Sequence, residues 1–129
     1  MRALLDTCVL LWWISTPERL TPRVKRLFED ERSELYWSIA STWELAIKAS
    51  TKVEFKIEGS LGELLPRILS EEGIQVLPIR QEHALAVAKL PRKHKDPFDR
   101  LLVAPARLEH MSLITSDRGL SAYDVKIVW

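Results

Sequence analysis

A single cysteine, three histidines and four glycines are all that this 129-residue chain holds of three chemically versatile residue types. One cysteine, Cys8, excludes an internal disulfide and any cysteine-based zinc site, and it suits a reducing cytoplasm. It is expected to pack in the core. His83, His94 and His110 form no i,i+4 pair and have no cysteine partners, which disfavours zinc altogether. Gly59, Gly62, Gly73 and Gly119 build no phosphate-cradling loop, so a nucleotide-dependent kinase or dehydrogenase is also disfavoured. An excess of one charge is missing too: 19 Lys and Arg stand against 18 Asp and Glu, a net charge of +1, so any nucleic-acid surface must be local. No apolar run is long enough to span a membrane. The opening MRALLDTCVLLWWIS is interrupted by Asp6 and followed by no small-residue cleavage site, so it does not read as a signal peptide. A soluble cytoplasmic protein is expected.

At 129 residues and 47% hydrophobic, the chain fits one compact domain over 1–129. Ala3-Leu4-Leu5 is a continuous apolar run, as in a strand buried on both faces, and Asp6-Thr7 supplies a turn and a helix cap. A helix then runs through Val9, Leu10, Trp12 and Trp13 until Pro17, and another starts at Thr21-Pro22, with proline in the first helical position. Leu35-Tyr36-Trp37 is the second strand. Ser38 or Ser41 opens a helix with the apolar face Ile39, Trp43, Ala46 and Ile47, Glu44 at its edge. Lys52 to Glu58 alternates Val53, Phe55 and Ile57 with charges and reads as a short extended flap. Ser60 and Glu63 suggest a capping box for a helix that Pro66 bends and Gly73 ends. Ile74 to Leu77 is a strand and Gln81 to Lys89 a helix, followed by a basic loop of Arg92, Lys93, His94 and Lys95. A helix from Phe98 to about His110, a strand at Leu113-Ile114-Thr115 and an edge strand at Val125 to Trp129 complete the series. Strands separated by helices imply an α/β fold of three layers, a mainly parallel four- to five-stranded sheet with right-handed crossovers and helices on both faces.

Four acids stand at the ends of these elements: Asp6 in ALLDT, Glu44 in STWELA, Asp99 in DPFDRLL and Asp117 in LITSD. Asp6 and Asp117 both follow strands, so both belong at the carboxyl end of a parallel sheet, where such folds bind ligands. Carboxylates gathered there would raise one another's pKa unless a hard cation, one or two Mg²⁺ ions for example, held them apart. Such a site hydrolyses phosphodiesters without a cysteine or histidine nucleophile. Arg100, Lys95, Lys48 and Lys52 are candidates to hold substrate phosphate around it. Each acid has a plainer reading as well. Asp6 caps a helix, Glu44 pairs with Lys48 at i,i+4, Asp96 and Asp99 serve the start of a helix, and Asp117 caps the turn at Arg118-Gly119. Among the tryptophans, Trp12 and Trp13 cannot both face inward on one helical stripe, so one of them is assigned to an interface.

The blocks LLDTCVLLWW, SIASTWELAIKAS, HKDPFDRLLVAPA and LITSDRGLSAY, in this order and spacing, resemble the PIN-domain nucleases. The likeness is greater still to the VapC-type toxin ribonucleases of bacterial and archaeal toxin–antitoxin pairs. It spans nearly the whole chain. It implies a PIN-like α/β/α fold and a metal-dependent endoribonuclease. Asp6, Glu44, Asp99 and Asp117 would be its acidic quartet for Mg²⁺ or Mn²⁺, Thr115 the hydroxyl residue beside them, and Asp96 an outer supporting acid. The resemblance also implies a homodimer and a small antitoxin protein that lies along a hydrophobic groove, which exposed Trp12 or Trp13 would serve, and inserts a basic residue into the acidic site. The chain departs from the family pattern at Pro105, where glutamine is common, and a proline within a helix costs about 3 kcal/mol or kinks it. The alternative reading is a non-catalytic PIN-like module that binds RNA or protein. A receiver or phosphatase with Asp6 as nucleophile is weaker, because Asp6-Thr7-Cys8 lacks a second adjacent aspartate.

Overall fold

A computed structural model describes residues 1–51 and 60–129; the flap expected at Lys52 to Glu58 lies outside them. In chain order the elements are β1 (Arg2–Leu5), α1 (Thr7–Ser15), α2 (Pro22–Glu29), β2 (Glu34–Ser38), α3 (Ile39–Thr51), α4 (Leu61–Glu71), β3 (Gln75–Leu77), α5 (Gln81–Val87), α6 (Pro97–Leu108), β4 (Ser112–Ile114) and β5 (Ile127–Val128). Short 3-10 turns lie at Pro17–Arg19 and Arg118–Ala122. The strands form one sheet in the order β3-β2-β1-β4-β5, each neighbouring pair parallel.

The central position of β1 follows from its composition. Ala3, Leu4 and Leu5 are all fully buried, and successive side chains of a strand point to opposite faces. Ala3 and Leu5 accordingly join the core layer that holds Val9, Leu10, Val24, Leu65 and Leu69, whereas Leu4 joins Leu90, Leu102, Val103 and Ala106. Thus α1, α2 and α4 cover one face of the sheet and α5 and α6 the other, which is the three-layer arrangement expected.

Local signals set the helix ends. Thr21 accepts a hydrogen bond from the Val24 N–H, with Pro22 at the first helical position. Asp96 does the same for the Phe98 N–H ahead of Pro97. Helix α4 closes in a Schellman motif: Gly73 takes φ +66°, and the Ile74 N–H returns to the Leu69 carbonyl at 2.8 Å. Helix α6 ends the same way at His110, φ 55°, with the Met111 N–H bonded to the Ala106 carbonyl at 2.8 Å.

Four expectations are corrected. The capping box at Ser60 is not formed, since its side chain makes no cap hydrogen bond. Pro105 does not break α6, which runs from Pro97 to Leu108 with Pro105 buried in its core-facing stripe. Trp12 and Trp13 both pack against the core. Trp12 lies edge-on to Trp129, and Trp13 stacks on Phe28 while its Nε1 donates to Glu72. Finally, Ile39, Trp43 and Ile47 of α3 face outward, Trp43 at 57% exposure, while Ala40, Ser41 and Leu45 face inward. The large exposed tryptophan is therefore Trp43.

Candidate metal centre at the carboxyl end of the sheet

Adjacency of β1 and β4 brings Asp6 and Asp117 together, because each follows its strand at the same end of the sheet. The ladder continues past the strands. The Asp6 N–H donates to the Ile114 carbonyl at 2.9 Å and the Thr115 N–H to the Val128 carbonyl at 3.2 Å. This registers Thr115 beside Asp6, and its hydroxyl donates to Asp6 Oδ2 at 2.7 Å. The other carboxylate oxygen, Oδ1, accepts the Thr7 N–H at 2.7 Å, so Asp6 caps α1 and faces the site at once. Thr115 Oγ1 in turn accepts the Asp117 N–H at 3.1 Å, and Asp117 Oδ1 accepts the Gly119 N–H at 2.9 Å. A Cβ at Gly119 would stand 3.0 Å from that oxygen, so a larger residue there would press on the Asp117 carboxylate.

The remaining acids arrive on helices. Asp99 lies in the first turn of α6, whose start is fixed by the Asp96 cap. Glu44 lies on α3, one turn beyond Ser41, whose hydroxyl accepts a buried 2.9 Å hydrogen bond from Thr7 Oγ1. That bond ties α3 to the turn that carries Asp6. Glu44 also makes the i,i+4 pair with Lys48, at 3.0 Å.

Electrostatics show that the four acids share one field. Burial pushes the Asp6 carboxyl above its ordinary range, against the lowering effect of the Thr115 and Thr7 hydrogen bonds, and the charges of Glu44 and Asp117 push it further. Asp99 is raised to about 7, first by burial, then by Asp6 and Asp96, with His94 acting the other way. Cys8 is pushed up to about 12 by burial and by Asp6, which keeps it a thiol and removes it as a nucleophile.

His94, by sequence one member of the basic loop, joins this constellation in the fold. Its Nε2 lies 2.8 Å from Asp117 Oδ2 and 3.6 Å from Asp99 Oδ2. The two carboxylates and this imidazole have ligand atoms within 4.8 Å of one another. The sequence hint was the placement of His94 on the turn that opens α6, but its reach to Asp117, 23 positions on, exists only in the folded chain.

Cavities flank the Asp96-Pro97 turn. One of 510 Å³ is lined by Glu44, Ile47, Lys48, Lys95, Asp96, Pro97 and Phe98. Another, of 540 Å³, is lined by Arg92, His94, Lys95, Pro97 and Arg100 together with Val87. Lys95 thus borders both. The Arg100 guanidinium donates to the carbonyls of Val87, at 3.0 Å, and Leu90, at 3.3 Å, and so ties the end of α5 to α6. A second histidine, His83, is wholly buried and reaches Glu109 at 3.0 Å; it joins α5 to the end of α6, away from the quartet.

The donor set fits a hard divalent cation. The converging groups are carboxylate oxygens with the His94 imidazole beside them, and two of the carboxyls, Asp6 and Asp99, are raised by burial first and then by neighbouring acids, a cost that a bound cation relieves.

Comparison with known proteins agrees with this architecture. Among curated proteins, none matches the chain significantly in sequence. Among solved structures, the chain is similar to VapBC2 from Rickettsia felis bound to a promoter DNA fragment, with TM-score 0.75 and 14% identity over 99% of this chain and 98% of that one. It is also similar to DNA-bound VapBC from Salmonella typhimurium, with TM-score 0.71 and 18% identity over 99% and 97% of the two chains. A toxin–antitoxin complex from Klebsiella pneumoniae gives TM-score 0.65 and 20% identity over 98% and 96%. At these identities the likeness speaks for the fold. The family model described as the PIN domain matches residues 3–126, and with that match over almost the whole sequence the chain belongs to the PIN domain family.

Proposed function

We propose that this protein is a metal-dependent endoribonuclease of the VapC toxin type, using Asp6, Glu44, Asp99 and Asp117 to hold Mg²⁺ or Mn²⁺. The observation that carries the reading is the convergence of acids at the sheet end: Asp6 and Asp117 share the Thr115 hydroxyl, Asp99 and Asp117 have oxygens within 4.8 Å of each other and of His94, and burial first, then neighbouring acids, raises Asp6 and Asp99. Buried carboxylates with raised pKa values gathered in one place are a recurrent mark of a functional site. When bound, a divalent cation there supplies charge neutralisation at the scissile phosphate and activation of water.

The chain's own residues have separable roles. Asp6 and Asp117 project from the sheet end, and Thr115 holds both in register through its hydroxyl. Asp99 brings a carboxylate raised to about 7, first by burial and then by Asp6, which would serve as a further ligand for the cation. Lys95 borders both cavities and is the leading candidate to receive substrate phosphate. Lys48, beside Glu44, serves the same purpose, and Arg100 contributes from the wall of the second cavity. Hydrolysis by external water would leave a 5′-phosphate and a 3′-hydroxyl.

Partners follow from the same reading. The solved structures that the chain resembles include a toxin–antitoxin complex, and we assign this chain a cognate antitoxin and a homodimeric state. The outward apolar face of α3, Ile39, Trp43 and Ile47, with Phe98 edge-on to Trp43 at 5.0 Å, supplies the surface for such a contact. No helix among the described residues is long and apolar enough to cross a membrane.

The test is incubation of purified, antitoxin-free protein with a cellular RNA pool, with Mg²⁺ or Mn²⁺ and with chelator, beside Asp6→Asn. Discrete metal-dependent products bearing 5′-phosphate, absent with the variant, are expected. A folded, metal-binding protein that cuts nothing would replace this reading with the non-catalytic binding module.

A further inference from the structure

We propose that His94 is a positioning residue for the metal centre, holding Asp117 through a fixed Nε2–H donor rather than binding the cation itself. The inference rests on the metal-site reading above.

The argument starts from the ring's two nitrogens, which cannot play the same part. The Asp96 backbone N–H points at His94 Nδ1 from 3.2 Å. A backbone N–H only donates, so Nδ1 must be the acceptor and the ring proton sits on Nε2. That nitrogen faces Asp117 Oδ2 at 2.8 Å, a short charge-assisted contact, with Asp99 Oδ2 farther off at 3.6 Å. A histidine that ligates a metal has the reverse arrangement: it offers a bare nitrogen to the ion and donates its other N–H to a carboxylate or carbonyl. Here the backbone at Asp96 would oppose that tautomer.

His83 shows the same device in a place remote from the quartet. Its Nδ1 accepts the Arg80 N–H at 3.1 Å and its Nε2 faces Glu109 at 3.0 Å. The fold therefore uses this pattern elsewhere to clamp a carboxylate.

One short turn consequently controls two of the four acids. The Asp96 carboxylate caps α6 and sets the helix start that carries Asp99, while the Asp96 N–H sets the tautomer through which His94 grips Asp117. With Oδ1 on the Gly119 N–H and Oδ2 on His94, Asp117 is held in one rotamer, its remaining lone pairs free for a cation. An ordered ligand loses less entropy on binding, and outer partners of metal ligands are typically worth about 10–100-fold in affinity.

The experiment is Mn²⁺ titration of the purified full chain by calorimetry, for the wild type, His94→Ala and His94→Gln, with thermal melts to verify folding. Pulsed electron paramagnetic resonance on the Mn²⁺ complex reads out directly bound nitrogen. His94→Ala is expected to weaken Mn²⁺ binding by roughly tenfold or more. His94→Gln should recover most of the loss, because its amide also offers one acceptor and one donor, and the wild-type spectrum should show no nitrogen in the inner sphere. Equal affinity of wild type and His94→Ala would overturn the inference alone, as would a directly coordinated nitrogen that disappears in the variants. A wild-type chain that binds no Mn²⁺ would overturn the metal reading and this inference with it.

Discussion

The Thr115 hydroxyl donates to the Asp6 carboxylate at 2.7 Å across 109 positions of sequence. The bond joins the ends of two adjacent parallel strands, and the same oxygen receives the Asp117 N–H at 3.1 Å. One buried hydroxyl thereby fixes the spacing of the two acids that lead the site.

Replacing Thr115 with valine keeps the shape and removes both hydrogen bonds. Leaving Asp6 Oδ2 and the Asp117 N–H without this partner should cost about 1–3 kcal/mol in denaturant unfolding at pH 8. Thr115→Ser should stay near wild type. A valine variant as stable as the serine variant would mean that the hydroxyl is not what holds the two strand ends together.

Asp6→Asn and Asp117→Asn should reduce RNA cleavage by more than about 100-fold. The fold should survive, since burial already penalises the charge on Asp6, and circular dichroism will verify this. In the wild type, Mn²⁺ at 100 times its dissociation constant should add about 2.7 kcal/mol of stability, and in Asp6→Asn this increment should largely vanish.

Asp99 gives the metal-free protein a definite pH dependence. Its folded-state pKa, about 7, lies above the ordinary 3.8, so between these values the native state binds more protons than the unfolded chain. Its contribution is fully present below about 4 and is lost as pH rises through about 7. The melting temperature in chelator should therefore fall between pH 5 and 8, by more than in Asp99→Asn. A pH response unchanged in that variant would assign the effect to another group.

His110 occupies the left-handed region, φ 55°, at the end of α6. A side chain there costs roughly 1–2 kcal/mol relative to glycine. His110→Gly should raise the unfolding free energy by about 1 kcal/mol, after the greater chain entropy of glycine is subtracted, with RNA cleavage unchanged.

Much of this protein is written locally in its sequence. Apolar runs such as Ala3-Leu4-Leu5 mark strands, Thr21-Pro22 and Asp96-Pro97 mark helix starts, and Gly73 marks a helix end, because these signals act within one turn of chain. Alternation of strands and helices then implies parallel pairing, and so the gathering of Asp6 and Asp117 at one sheet end. Other features were decided only by tertiary structure. The period of α3 shows that Ile39, Trp43 and Ile47 share a face, but not whether that face looks inward; the Thr7–Ser41 bond and the burial of Leu45 turn it to solvent. Pro105 reads as a helix breaker by propensity, yet the packing of α6 on the sheet carries the helix through it. His94 looks like one more cation of a basic loop until the fold brings Asp117 to its Nε2 and the Asp96 N–H to its Nδ1. Periodicity and caps are properties of neighbouring residues, whereas the direction of a face and the partner of a side chain depend on residues that only the packed chain brings together.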